Sequence, residues 1–131
     1  GMDPIAEIIE KFDVSVVLNE GVVKEFLKLM SLFKPNGVLV NVSRRGRVSL
    51  HAGNETDHQF TQVIGDSSKQ VESPFSIKLY GANLSAVLSA LNYAEPVTLY
   101  IVGNEVSIVM ENSAWVLSPL SNESETTSEA E

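Results

Sequence analysis

The sequence predicts one α+β domain in which two helices pack on one face of largely antiparallel sheets. Three observations carry this prediction. Apolar and polar residues alternate along several segments after residue 37, as in half-buried strands. Two other segments, 20–34 and 84–94, repeat apolar residues at helical spacing. The length of 131 residues and the apolar fraction of 44% suit one compact domain with its own core.

The first third of the chain predicts helix, strand, helix. Asp3 and Pro4 are typical of a helix start and begin a short amphipathic helix. Residues 13–19 have the β-branched density of a strand. The helix over 20–34 is expected to stop at Pro35.

The rest of the chain predicts strands around a third helix, which we expect Asn83 to cap and Pro96 to end. Gly103 and Asn104 form a two-residue hairpin signal. The expected strands are 38–42, 48–52, 58–64, 75–80, 97–102, 105–110 and 114–120.

Charge separates the end of the chain from its body. The last eleven residues hold four of the glutamates and no base, whereas the body, with nine basic and thirteen acidic residues, carries −4 of the total −8. We therefore expect residues 121–131 to be a disordered acidic tail and residues 13–120 to be the domain. Residues 1–12 are expected to comprise Gly1, a remnant of tag removal, and the short helix that follows it.

Several function classes lack their sequence signals. The chain has no cysteine, no apolar run of about 20 residues and no signal-peptide pattern, which predicts a cytoplasmic protein without a membrane partner. Phosphate-binding glycine loops, nucleophile elbows and His-x-x-x-His helices are also absent. The sequence therefore predicts no enzyme and no cofactor.

One polar cluster could serve metal binding or acid-base chemistry, namely His51, Glu55, Asp57 and His58. His51 is expected to face away from the apolar side of its strand, and the residues after it are turn formers. We interpret the cluster as a solvated loop.

The order of elements repeats within the chain. A helix at 22–34 is followed by antiparallel strands over 38–64, and a helix at 84–94 is followed by antiparallel strands over 97–117. This repetition predicts an internally duplicated domain, with both helices on the same side of the sheets.

The order β-α-β-β-β-β-α-β-β-β over residues 13–118 resembles that of the DNA sliding clamps, the processivity factors of replicative polymerases. The stretches GVLVNV, RVSLHAGNETDHQFTQVI and FSIKLYGANLSAVLSALNYAEPVTLYIV carry the resemblance. It implies a non-enzymatic domain that joins others edge to edge in a ring and tethers a polymerase or other replication protein to duplex DNA.

The resemblance also implies site residues. Clamp helices direct basic side chains toward phosphates, which carries over to Lys24 and Lys28 and, in the turn after 38–42, to Arg44, Arg45 and Arg47. The second helix departs from this pattern, because its outward positions are the neutral Ser85, Ser89 and Asn92.

Edge pairing would make 58–64 and 114–120 the joining strands of a homo-oligomer. The interface side chains expected there are Phe60, Gln62, Ile64, Trp115 and Leu117. Trp115 has an alternative role as a core residue beneath the N-terminal helix.

A second function class remains open. Small acidic modules that dimerise and wrap an extended client, as secretion chaperones do, share this size, acidity and mixture of helices and strands. On that alternative the protein has no nucleic-acid role.

Overall fold

The computed structural model describes residues 3–53 and 59–120. Those residues form the helices α1 Pro4–Lys11, α2 Glu20–Phe33 and α3 Gly81–Ala90. The strands are β1 Val14–Val17, β2 Gly37–Val42, β3 Arg47–Gly53, β4 Gln59–Asp66, β5 Phe75–Tyr80, β6 Thr98–Val102, β7 Glu105–Val109 and β8 Ala114–Leu117. In this part of the chain no helix has the length and apolarity needed to span a membrane.

The strands form two antiparallel four-stranded sheets, which confirms the predicted α+β class. The first sheet has the order β1-β6-β7-β8 and the second has the order β4-β3-β2-β5. Each half of the chain contributes three neighbouring strands to one sheet and sends its first strand to the other sheet. The order is unchanged when β1 to β4 are exchanged with β5 to β8, which supports the predicted duplication.

Helices α2 and α3 pack side by side and antiparallel over the inward faces of the sheets. The first residue of α3, Gly81, donates its N–H to the carbonyl of Asn36 just beyond the end of α2 (2.7 Å). The buried residues of the helices are Val23, Phe26 and Met30 of α2 and Gly81, Leu84 and Leu88 of α3. The cavity left among Val23, Phe26, Leu84, Leu88 and the strands beneath them holds only about 10 Å³, so the helices close this part of the core.

Each half is also closed by the chain that leaves its last strand. After β4, the N–H of Ser68 donates to the carbonyl of Ser15 in β1 (3.2 Å). After β8, the N–H of Leu120 donates to the carbonyl of Lys78 in β5 (2.7 Å). In both halves, the segment after the last strand therefore forms a hydrogen bond with the first strand of the same half.

The N-terminal helix lies outside this arrangement. It begins as the sequence predicts, with the Asp3 carboxylate accepting the N–H of Ile5 (3.3 Å) and with Pro4 in the first turn. It packs against β6 on the outward face of the first sheet, where the ring of Phe12 meets that of Tyr100 edge-on at 5.1 Å.

Two expectations were wrong. Asn83 does not cap α3, because the helix begins two residues earlier at Gly81, after Tyr80, whose side chain makes no capping bond. Trp115 does not lie beneath α1. It pairs with the fully buried Ile108 and so shares the inward face of the sheet, opposite to α1.

Candidate nucleic-acid interface and assembly edges

The exposed side of α2 carries the two predicted lysines. Lys24 and Lys28 are both exposed, and the Lys24 ammonium lies 3.3 Å from the carboxylate of Glu20 one turn earlier. Glu25 is exposed on the same helix. The charge of α2 on its solvent side is therefore mixed rather than strongly basic.

The exposed side of α3 carries no charge. Ser89 is exposed, Ser85 is half-buried, and Asn92, which was predicted on this helix, is exposed just beyond its end. The Ser89 hydroxyl donates back to the carbonyl of Ser85 (2.7 Å). Since the helix has no ionisable side chain, its contribution to a phosphate backbone is limited to neutral contacts.

The three arginines lie at the tip of the β2–β3 hairpin, and the tip is held firmly. The N–H groups of Ser43 and Gly46 bond within the turn, and Gly46 takes φ +92°, a conformation that favours glycine. The carbonyl of Gly46 accepts the N–H of Ser67 (2.7 Å), and that of Arg44 accepts the N–H of Val71 (3.3 Å).

Within that tip, the arginines differ in their partners. The guanidinium of Arg47 donates to the Asp66 carboxylate at 3.1 Å, and this hydrogen bond, followed by the charge of Asp66, raises the pKa of Arg47 above its usual value. Arg44 and Arg45 are exposed. The tip packs on the 67–71 segment, whereas α2, which carries the lysines, packs on β4.

The strands β4 and β8 are outer strands of their sheets, as expected of joining edges. The five side chains assigned to an interface nevertheless lie on the inward faces. Phe60 packs 5.9 Å from Phe26, centroid to centroid, and the Gln62 amide donates to the carbonyl of Val22 (3.2 Å). Ile64 and Leu117 are buried, and Trp115 is half-buried against the core.

The side chains that these strands present outward are the alternate ones. Val63 of β4 is 47% exposed and Val116 of β8 is 54% exposed. A neighbour that added a strand to either edge would contact the backbone and these valines. They lie one residue away from the residues that were chosen, so the same period-two alternation in the opposite phase would have selected them.

The polar cluster is only partly described. The Nδ1 atom of His51 lies 2.6 Å from the Thr61 hydroxyl across the β3–β4 pair. Glu55, Asp57 and His58 lie outside the described residues. Among the residues that the structure describes, no group of three or more His, Cys, Asp or Glu side chains could hold a metal ion.

The fold was compared with known proteins. No protein-family model and no curated protein sequence matches the chain. Solved structures do match. The DNA polymerase sliding clamp of Pseudomonas aeruginosa superimposes with a TM-score of 0.65 and 17% identity over 92% of this chain. The chain has a sliding-clamp-like fold.

Two further structures agree with this clamp-like assignment. The DNA polymerase III β subunit of Borrelia burgdorferi matches with a TM-score of 0.64 and 13% identity, again over 92% of this chain. The PCNA of Thermococcus kodakaraensis matches with a TM-score of 0.62 and 14% identity over 83%. The chain spans 35% and 34% of the two bacterial proteins and 48% of the archaeal one.

Proposed function

We propose that this chain is a non-enzymatic clamp-like domain that assembles edge to edge and tethers replication proteins to duplex DNA. One observation carries the proposal: two helices lie side by side on one face of a duplicated pair of sheets, and this arrangement matches sliding clamps over 92% of the chain. Because the chain spans about a third of the bacterial clamps, several copies or further domains are needed to encircle DNA.

The proposed joining edges are β4 and β8. Both end their sheets, and Val63 and Val116 lie exposed on them. Strand addition at such edges supplies main-chain hydrogen bonds, while side chains beside the edge set specificity. The other outer strands, β1 and β5, each receive a hydrogen bond from the chain that leaves β4 or β8.

Native mass spectrometry over a range of protein concentrations tests assembly. We expect a discrete ring-sized oligomer, which Val63→Lys or Val116→Lys reduces to monomer because a lysine at an edge opposes strand pairing. Val17→Lys is the matched control, since Val17 is 68% exposed on β1. A dimer indifferent to the first two substitutions would contradict the proposal and favour the acidic client-binding module.

DNA contact is proposed for Lys24 and Lys28 of α2. At low salt we expect duplex binding that Lys24→Glu with Lys28→Glu abolishes, while the single substitutions make the dependence of log K on log salt less steep by about 1 each. Lys11→Glu with Lys78→Glu, on other surfaces, is the charge-matched control. Equal loss in both pairs would show only a response to net charge and would refute the assignment.

The arginine tip is proposed as a second phosphate contact. Arg44→Gln with Arg45→Gln removes two exposed guanidiniums and leaves the Arg47–Asp66 pair in place. We expect weaker duplex binding without a change in oligomer size. Unchanged DNA affinity would remove the tip from the interface while leaving the α2 assignment to its own test.

A further inference from the structure

The outward face of the second sheet contains a groove with a polar floor. Asn41, Ser49 and Ser76 are register partners on the neighbouring strands β2, β3 and β5, and they alternate with buried inward residues. The groove has a volume of about 470 Å³, and Arg47 and Phe75 also line it. It is called here the polar groove. Its hydroxyl and amide groups can donate hydrogen bonds to an acidic ligand.

The charge around the polar groove is mainly positive. Strands β2 to β5 contain one arginine and one lysine, Arg47 and Lys78, and one acid, Asp66. That acid already pairs with Arg47. Arg44 and Arg45 are exposed at the arginine tip, where β2 ends. A basic face on a chain whose net charge is negative attracts carboxylates in particular.

The chain reaches this face after β8. The N–H of Leu120 donates to the carbonyl of Lys78 (2.7 Å). A Cβ added to Gly37 would lie 2.7 Å from Cε of Lys78 and 3.5 Å from Cδ1 of Leu120. Because Gly37 precedes the buried, inward Val38, that Cβ would point outward. The side chain of Leu120 therefore lies on the outward face of the second sheet.

Residues 121–131 follow Leu120 directly and lie outside the described residues. Their sequence contains no base and four acids, which are Glu123, Glu125, Glu129 and Glu131. Strand β2 runs from Gly37, beside Leu120, to Val42 at the arginine tip, which is about 17 Å at 3.3 Å per residue. Glu125 is five residues beyond Leu120 and so reaches equally far. The last two glutamates reach the tip itself.

We propose that the outward face of the second sheet binds residues 121–131 of the same chain, which run along the polar groove and bring their carboxylates to Arg44 and Arg45. Single exposed ion pairs are weak. Several pairs act together here, and the attachment at Leu120 keeps the carboxylates at a high effective concentration. The attraction between charges does not require this segment to fold.

This docking has a consequence for DNA. The arginine tip is also the second phosphate contact of the proposed function, so the acidic segment and a phosphate backbone compete for the same guanidiniums. The competition rests on the proposed function, whereas the docking does not. Strands β4 and β8 stay open for assembly, because the segment starts at the opposite edge of the second sheet, beside β5.

The absence of cysteine from the chain allows a single nitroxide label to test the docking. With Ser128→Cys carrying the label in the full-length chain, we expect broadening of the amide NMR signals of the polar groove and the arginine tip. Arg44→Gln with Arg45→Gln should remove most of this broadening. Lys24→Gln with Lys28→Gln, which removes the same charge from α2, is the matched control and should leave it unchanged.

Three results would overturn the docking. The first is broadening spread evenly over the surface, and the second is equal loss of broadening in the two pairs of variants. The third comes from a mixture of labelled chains and unlabelled, isotope-enriched chains. Broadening of the enriched chains would assign the face to the acidic segment of a second copy.

Duplex binding by the full-length chain tests the competition. Replacing the four glutamates of residues 121–131 by glutamine should tighten binding up to about tenfold at low salt. Most of this gain should disappear when Arg44→Gln and Arg45→Gln are added. An equal gain in both backgrounds would show only a response to net charge and would refute the competition. Absence of duplex binding in every variant would refute the proposed function, while the label experiment would still decide the docking.

Discussion

Helices α2 and α3 occupy equivalent places in the two halves of the domain, but they begin in different ways. Before α2, the Asn19 side chain accepts the N–H of Val22 (3.2 Å). Helix α3 follows β5 directly, has no side-chain cap, and sends the N–H of Gly81 to the carbonyl of Asn36. A local cap defines one helix start, and a tertiary contact defines the other.

The hairpins of the two halves differ in the same sense. Gly46 in the β2–β3 turn is packed against the 67–71 segment, whereas a Cβ added to Gly103 in the β6–β7 turn would have no neighbouring atom within 4 Å. The packed turn carries the arginines, and the open one carries no base. One topology thus supports a packed turn with three arginines in the first half and an open turn without a base in the second.

The largest expected effect is at the start of α3. A Cβ on Gly81 would lie 2.4 Å from the carbonyl oxygen of Pro35 and 2.9 Å from the Met30 methyl. Because a backbone atom cannot give way as a side chain does, Gly81→Ala should lower the free energy of unfolding by about 3 kcal/mol. Urea unfolding of the variant and of the unaltered chain measures this difference in free energy.

The matched change in the other helix is Gly21→Ala. Its Cβ would meet only the Asn19 side chain, at 3.2 Å, and alanine favours the helix. The free energy of unfolding should change by less than about 1 kcal/mol. Similar losses in the two variants would show that α3 does not depend on this close approach.

The second expected effect compares the hairpin turns. In Gly46→Ala the new Cβ would lie 2.7 Å from the carbonyl oxygen of Lys69, at φ +92°. Gly103→Ala takes φ +63° in open space, so only conformational strain of about 1 kcal/mol is expected. Gly46→Ala should cost about 1–2 kcal/mol more. Equal thermal unfolding of the two variants would contradict the packed turn.

The sequence predicted the elements well because their signals are local. Alternation marked most of the strands, and the apolar stripe ending at Phe33 together with Pro35 marked α2. The start of α3 could not be predicted in this way, because the partner of the Gly81 N–H is the carbonyl of Asn36, more than forty residues earlier in the chain. The cap signal at Asn83 was therefore followed although the helix begins before it.

The candidate site was predictable only in part. That β4 and β8 are outer strands was anticipated from the resemblance to the sliding clamps. Which side chains face outward depends on the absolute phase of each strand, and a shift of one residue exchanges the faces. Ile64 and Leu117 were therefore assigned to an interface although they complete the core. The attachment of α1 has no periodic signal, since it depends on Phe12, Lys69 and Tyr100 meeting in three dimensions.

A third, smaller effect compares the helix caps directly. Asn19→Ala removes the bond to the N–H of Val22 and should cost about 1 kcal/mol. Tyr80→Asn would place a capping side chain before α3 at a position that is 52% exposed, and we expect a gain of about 0.5 kcal/mol. A loss on Tyr80→Asn as large as that on Asn19→Ala would mean that Tyr80 stabilises α3 in another way.

The smallest expected effect concerns Tyr93, which joins the two halves. Its hydroxyl donates to the carbonyl of Leu88 (3.0 Å). Burial, and then the charge of Glu20 on α2, raises its pKa from 10.0 to about 12. Between these values the unfolded chain releases the phenolic proton while the folded chain retains it. The free energy of unfolding should therefore fall as the pH rises through this range, and it should not depend on this group below it.

Tyr93→Phe isolates this contribution. The variant loses the hydrogen bond to Leu88 at every pH, but it has no proton to release. The difference in unfolding free energy between about pH 8 and about pH 11 should therefore be smaller in the variant than in the unaltered chain. The reduction should be modest, because the side chain is only half-buried and solvent screens the charge of Glu20. Equal pH dependence in the two proteins would show that Tyr93 ionises as readily in the folded chain as in the unfolded one, and that the charge of the first half does not reach the second.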